Sequence, residues 1–237
     1  MSLTPAKQKP FDHPFEEIQD NVYVSVEKPI YKVTPASITI GKINCHCGKC
    51  EITLATDKAL GYFLCGCEDC RQAVKWAEFK GGQKGEDLQK AIYVPSDILH
   101  VNGKEYMKPF LLREGGQSTR VYCVSCYSLL GIDFPAYNDQ RFMFIGGHCL
   151  TDIDTSMDPA VAINMVDYPK DKELNLPDGI TIVNSIHDPD RSWTQIPEVK
   201  KIRETPPSNK GMRFSELVKE LGSPTILGLE PGAAIKK

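Results

Sequence analysis

The chain has 237 residues, 41% of them apolar, with 28 Lys and Arg against 31 Asp and Glu for a formal charge of -3. That length and apolar content can bury one sizeable core, and the small net charge offers no general attraction to a phosphate backbone or an anionic bilayer, which sets nucleic acid and membrane aside as partners. The first fifteen residues carry Pro5, Pro10 and Pro14 with charged side chains instead of an apolar stretch, and no later segment approaches the roughly 20 apolar residues of a membrane span, so the expected setting is cytoplasmic.

Proline placement marks out the ordered part. Five prolines precede Ala36, none lies between Ala36 and Val94, and nine fall from Pro159 onward. The division this suggests is an N-terminal extension over 1–36, a domain over 37–170 and a C-terminal extension over 171–237. Within the domain, β-prone runs recur at 37–40, 51–54, 61–64, 91–94, 98–101, 119–122 and 142–145 with Gly and Pro punctuation, which predicts a mainly β, antiparallel fold. One helical turn is expected to open at Glu68 and run through Arg71 toward Trp76. The basic stretch of Lys200, Lys201, Arg203, Lys210 and Arg213, broken by Pro206 and Pro207, reads as a solvated linker. A helix is expected over 214–221, with Ser215 capping its start, Leu217 and Leu221 on one face, and Gly222 and Pro224 as its stop.

Eight of the nine cysteines fall in three strings: CHCGKC at 45–50, CGCEDC at 65–70 and CVSC at 123–126. Without an export signal, reduced thiolates are favoured over disulfides, and CxC spacing suits a metal better than a bond between its own two sulfurs. A tetrahedral zinc takes four ligands, with sulfur at about 2.3 Å, commonly as two close pairs from distant loops. Cys123 with Cys126 is one such pair; either Cys45 with Cys47 or members of the Cys65 group could complete it. Seven or eight cysteines exceed one tetrahedral site, so two zincs per chain are implied. If one site takes four cysteines and is closed, the remainder includes a three-cysteine site whose fourth position is open to water or substrate, the asymmetry that separates a catalytic zinc from a structural one.

The order CxCG, CGCxxCR, YCxxC is carried by Cys45, Cys47 and Gly48, by Cys65, Cys67, Cys70 and Arg71, and by Tyr122, Cys123 and Cys126. Across roughly 41–147 it resembles the glutathione-dependent formaldehyde-activating enzyme and centromere protein V family, and the VPSDILHV segment is similar in placement. The resemblance implies an antiparallel β-tent related to the Mss4-like fold. It implies a structural zinc on Cys45, Cys47, Cys123 and Cys126, and a second zinc on Cys65, Cys67 and Cys70. It also implies a carbon-sulfur lyase acting on a small-molecule thiol adduct, such as the glutathione-formaldehyde adduct S-hydroxymethylglutathione. Other members resemble noncatalytic cytoskeletal and chromosomal proteins, so a zinc-stabilised interaction module, or a zinc lyase or hydrolase of specialised metabolism, is an alternative expectation.

Three positions depart from the family pattern. Tyr127 stands where glycine is common after the last CxxC, which predicts a different turn or a shielded metal. The segment QAVKWAEF after Arg71 lacks the usual small-residue or Pro-Gly turn, so the pocket wall is expected to differ. Cys50 stands where an apolar residue is common and reads as a buried core thiol, with a fourth-ligand role as the alternative.

Three cysteinates leave zinc with a net negative charge, making it a weaker Lewis acid than one held by three histidines and better suited to holding a substrate thiolate than to activating water. The expected catalytic set is Cys65, Cys67 and Cys70 with His148, which follows Gly146 and Gly147 at a strand end and is the acid-base candidate; a hydrogen-bonded structural histidine is the alternative. Arg71 and Lys75, neighbours on one helical face, are the candidates for binding substrate carboxylates. Trp76 reads as core or cleft wall, His46 as packing outward and Cys149 as structural.

Overall fold

The computed structural model describes residues 39–232; the expected N-terminal extension, 1–36, lies outside them. In chain order the strands are β1 Gly41–Asn44, β2 Glu51–Leu54, β3 Gly61–Cys65, β4 Gln89–Pro95, β5 Ile98–Asn102, β6 Met107–Leu111, β7 Thr119–Cys123, β8 Leu129–Asp133, β9 Arg141–Ile145, β10 Leu150–Thr151, β11 Ala162–Ile163, β12 Ile182–Val183 and β13 Thr225–Ile226. Three short helices accompany them: α1 Glu68–Phe79, α2 Pro197–Glu204 and α3 Phe214–Glu220. None is long and apolar enough to cross a membrane.

The strands form a four-stranded sheet, β10-β1-β2-β5, and a nine-stranded sheet, β12-β11-β3-β4-β9-β8-β7-β6-β13. The body of both is antiparallel, as expected. The parallel strand pairs lie at the margins of the larger sheet, where β11 joins β3 and β12, and β13 joins β6. Two of these marginal strands come from beyond residue 170.

Alternation along the strands gives the large sheet two buried faces. One face presents Phe63, Cys65, Ala91, Tyr93, Met143 and Ile145, and packs against α1 and α2. The other presents Ile92, Val94, Val121, Leu130, Phe142 and Phe144, and packs against Ile43, Ile52 and Leu54 of the small sheet and against α3. The two cysteine groups therefore sit in different cores.

Local expectations met this frame unevenly. The first strand starts at Gly41, four residues later than expected, leaving Ile40 exposed. Missed strands include β6, which contains Pro109, and β8, which contains Gly131; a Cβ at Gly131 would stand 2.4 Å from the Phe214 ring, so glycine is needed for α3 to dock. Phe214 then stacks on Phe142 with centroids 4.3 Å apart.

The start of α3 is capped differently from expectation. The Glu216 carboxylate accepts the Arg213 backbone N–H at 2.7 Å and the Ser96 hydroxyl accepts that of Phe214 at 2.7 Å, while the Ser215 hydroxyl is buried without a partner among the described residues. The basic linker is also corrected: its first part is α2, opened by Pro197, with Val199 and Ile202 buried in the core. Its last member, Arg213, pairs at 3.2 Å with Asp97, a carboxylate only 2% exposed that also accepts backbone N–H groups of Ser208 and Lys210.

Candidate metal centres

Cys45, Cys47, Cys123 and Cys126 bring their sulfurs within 4.8 Å of one another, so this group could hold a metal ion. Two tight turns make it. Cys45 directly follows β1, and the chain reverses through Gly48 at φ +75, with the Cys45 N–H donating to the Cys50 carbonyl at 3.0 Å to close the turn. Cys123 ends β7, and the return passes through Tyr127 at φ +53. That is the left-handed turn glycine would take, so the expected different turn is absent. The strain, on the order of 1 kcal/mol for a non-glycine residue, is offset by aromatic packing: the Tyr127 ring stacks on Tyr122 at 5.8 Å and meets Trp76 edge-on.

The sulfur spacing argues for a metal over a disulfide. Cys45 and Cys47 sulfurs are 3.5 Å apart, and Cys47 and Cys123 sulfurs 3.7 Å. A disulfide is about 2.0 Å long, whereas the edge of a tetrahedron with zinc-sulfur bonds of about 2.3 Å is ~3.8 Å. Ser128 supports the group from below: its hydroxyl accepts the His46 N–H at 3.0 Å and lies 3.2 Å from the Cys126 sulfur. Burial raises the Cys126 thiol, but hydrogen bonds with Ser128 and then Cys47 together outweigh it and bring its pKa to about 6. Cys50 is fully buried beside this group, not part of it; its N–H donates to the Cys45 sulfur at 3.1 Å, and burial followed by the neighbouring Cys123 pushes its own thiol up.

Cys65, Cys67 and Cys70 form a second group whose sulfurs also lie within 4.8 Å of one another, with no fourth His, Cys, Asp or Glu joining them among the described residues. One chain segment supplies all three. Cys65 ends β3, Cys67 caps α1, and the Cys70 N–H donates to the Cys67 sulfur at 3.3 Å, so the positive end of the helix faces the sulfurs. Cys65 and Cys70 are buried and Cys67 is half-buried. Hydrogen bonding from Cys67 holds the Cys65 thiol well below its usual range. Asn164 points its amide at the Cys65 sulfur, 3.9 Å away, and fixes its own orientation by accepting the Ile186 N–H at 3.2 Å.

Two phenols complete this neighbourhood. Tyr93 and Tyr137 meet edge-on with centroids 5.7 Å apart. Burial chiefly shifts both phenols upward, and the sulfurs of Cys65 and Cys70 add to it; Tyr137 raises Tyr93 further, whereas the hydrogen bond with Tyr93 works against the rise at Tyr137, and both phenols are neutral. Nothing in the local sequence marked Tyr93, Tyr137 and Asn164 at this group or Ser128 at the four-cysteine group; register and loop placement bring them there.

The other candidate residues fall elsewhere or are otherwise engaged. His148 is 2% exposed and sits on the side of the four-cysteine group: the adjacent Gly147 carbonyl lies 3.4 Å from the His46 ring, and the following Leu150 pairs with Asn44. Neither ring nitrogen of His148 has a partner among the described residues, and burial, then His46, lowers its pKa to about 4. Arg71 donates to the backbone carbonyls of Gly66 and Asp167, bracing the loops around Cys65 and Asn164. Lys75 pairs with Asp87 at 3.2 Å on the surface. Trp76 is core, packed on Phe110 and Tyr122, and QAVKWAEF simply continues α1 to Phe79. Cys149 is buried and free, its thiol pushed up to about 12 by burial alone.

No family model and no curated protein matches this chain.

Proposed function

We propose that both groups hold zinc in a β-tent of the Mss4-like kind, and that the chain is a carbon-sulfur lyase using Cys65, Cys67 and Cys70 as the open, reactive site. The observation that carries this reading is the unequal ligand count: four sulfurs in one group, three in the other with no further ligand type among the described residues. The donor set fits the metal, since soft thiolates at tetrahedral-edge spacing select zinc over hard cations. Bound at the triad, zinc supplies a position where a substrate sulfur is held as thiolate.

The protein residues divide the remaining work. Asn164 and the N-terminus of α1 orient and stabilise the negative sulfurs. The neutral phenols of Tyr93 and Tyr137 serve as hydrogen-bond donors to an oxygen on the carbon attached to the substrate sulfur. For a hydroxymethyl thioether such as S-hydroxymethylglutathione, the carbon-sulfur bond breaks to give thiol and formaldehyde, the hydroxyl proton ending on sulfur; the reverse adds thiol to aldehyde. His148 stands at the other group, so the acid-base role expected of it passes to the phenols in this reading.

The test is zinc content combined with aldehyde release. Two zincs per chain and formaldehyde release from S-hydroxymethylglutathione are expected, with Cys67→Ser keeping one zinc and losing activity, and Tyr137→Phe keeping both and losing about tenfold to hundredfold in rate. Activity unchanged in Cys67→Ser overturns the reading. Burial of Cys65 and Cys70 favours a second one, in which both zincs are structural and the fold serves as an interaction module; it predicts one fewer zinc in Cys67→Ser with no activity in any form.

A further inference from the structure

A fifth sulfur stands beside the four-cysteine group without belonging to it. Cys50 is fully buried, and its S–H donates to the Gly103 carbonyl at 3.7 Å, outside the set whose sulfurs lie within 4.8 Å of one another. The β1–β2 ladder fixes its position. Asn44 pairs with Glu51, so Cys45 and Cys50 come next, face to face, and the Cys45 N–H donates to the Cys50 carbonyl at 3.0 Å. The Cys45 carbonyl takes the Gly48 N–H at 3.1 Å, and the Cys50 N–H turns instead to the Cys45 sulfur, also at 3.1 Å. Residues opposed in this way have Cα atoms about 5.5 Å apart, inside the range of about 4.4–6.8 Å that a disulfide spans. As a filler of space a free cysteine is only a small hydrophobe. Set opposite a candidate metal ligand at bridging distance, it is also a reaction partner.

Access to these sulfurs is uneven. Cys47 is exposed, whereas Cys45, Cys50 and Cys123 are buried. An oxidant from solvent therefore meets Cys47 first, and the nearer of its two neighbours is the Cys45 sulfur at 3.5 Å, with that of Cys123 at 3.7 Å. A bond between two cysteines one residue apart is strained and makes a poor end point. Cys50 offers Cys45 an end point with ordinary backbone separation.

We propose that Cys50 is a resolving thiol, so that oxidation entering at Cys47 ends as a Cys45–Cys50 disulfide and withdraws Cys45 from the metal. This rests on the four-cysteine group holding zinc. The oxidant is a hydroperoxide, hydrogen peroxide in the simplest case. The Cys47 thiolate attacks one peroxide oxygen and the O–O bond breaks, giving a sulfenic acid and hydroxide. The Cys45 thiolate displaces a second hydroxide from that sulfur, forming a Cys45–Cys47 bond. The Cys50 sulfur then attacks Cys45, and Cys47 leaves with the Cys50 proton. Across the three steps sulfur gives up two electrons, the peroxide ends as two hydroxide ions, and Cys47 emerges as a thiol.

With one ligand withdrawn, the metal that joins the turns after β1 and β7 is held less tightly and is released. The new bond closes a loop between residues only five apart in sequence, so chain entropy adds little to its stability and a dithiol reverses it.

The experiment exposes the zinc-loaded full chain to a small excess of hydrogen peroxide, follows released zinc with a coloured chelator, and maps disulfides by proteolysis and mass spectrometry. Dithiothreitol and zinc are then returned. The wild type is expected to yield a Cys45–Cys50 linked peptide pair and to regain the zinc lost from this group after reduction. Cys50→Ala is expected to start with the same zinc content, to accumulate about tenfold more sulfinic acid at Cys47, and to fail to regain that zinc. Cys50→Ser, which keeps a hydroxyl for the Gly103 carbonyl, takes its place if the alanine chain does not fold. A Cys47–Cys123 bond with Cys50 still free in the wild type overturns the proposal, and so does a Cys50 variant that recovers as the wild type does. Mapping decides the matter with or without metal. If the group holds no zinc, the zinc reading fails, while a Cys45–Cys50 bond still supports the resolving role and its absence removes it.

Discussion

The four-cysteine and three-cysteine groups are the same chemistry built two ways. The first clamps two distant turns together, those after β1 and β7, in the core shared by the two sheets. The second is one segment folded on itself at the start of α1, in the core between the large sheet and its helices. A metal at the first joins elements far apart in sequence and contributes to folding; a metal at the second closes only a short loop, so its removal leaves most long-range contacts in place. The comparison teaches that ligand sequence separation, as much as ligand count, divides a stapling site from a working one.

The largest expected effect breaks the comparison directly. Cys126→Ser should lower the unfolding temperature drastically and prevent the chain folding at physiological temperature, because the structural zinc proposed for this group would be worth on the order of 10 kcal/mol of folding free energy. Cys67→Ser should cost no more than about 2 kcal/mol, the ordinary scale for a point change outside a structural zinc site. Equal losses in thermal unfolding would erase the distinction drawn between the groups.

A purely structural change supplies the scale between them. Asp97→Ala leaves Arg213 without its carboxylate and the Ser208 and Lys210 N–H groups unpaired, with an expected loss of about 3–5 kcal/mol in denaturant unfolding. Its zinc content should remain two per chain. A lower zinc content would mean that the groups are not independent of the β4–β5 corner.

Acid sharpens the contrast further. The His148 imidazole titrates near 6.5 in an unfolded chain and at about 4 here. Between those values the unfolded chain takes up a proton that the fold refuses, so stability falls as pH drops through that window, by up to about 3 kcal/mol once both values are passed. Protonation of the thiolates proposed to hold zinc would act in the same direction. His148→Gln should therefore flatten the part of the decline above pH 4, a comparison read from unfolding curves at several pH values; an unchanged slope would remove His148 from the account.

Much of this was legible in the sequence, for identifiable reasons. The cysteine strings declare their grouping because sulfur ligands need close pairs, and β2, β3, β4, β5, β7 and β9 declare themselves through β-prone runs. Pro109 and Gly131 hid β6 and β8, since each disfavours a strand locally and is tolerated only through its neighbours: Pro109 lies opposite Val121 across β7, and Gly131 makes room for Phe214. The lysines and arginine of α2 disguised a helix whose apolar content is just Val199 and Ile202 on its buried side. Tyr93, Tyr137 and Asn164 carry no local signature at all. Their meeting depends on the register of β3, β4 and β9 and on where two loops return, which is information about the whole sheet.

The central claim is that one metal site is filled by the protein and the other leaves a position free. Cobalt exchanged into both sites and titrated with a thiol tests it most directly, through the visible and thiolate charge-transfer absorption of cobalt. Two cobalts per chain, with half of the spectrum shifting on thiol addition and that half absent from Cys67→Ser, is the predicted result. Two cobalts with a spectrum indifferent to thiol would contradict it.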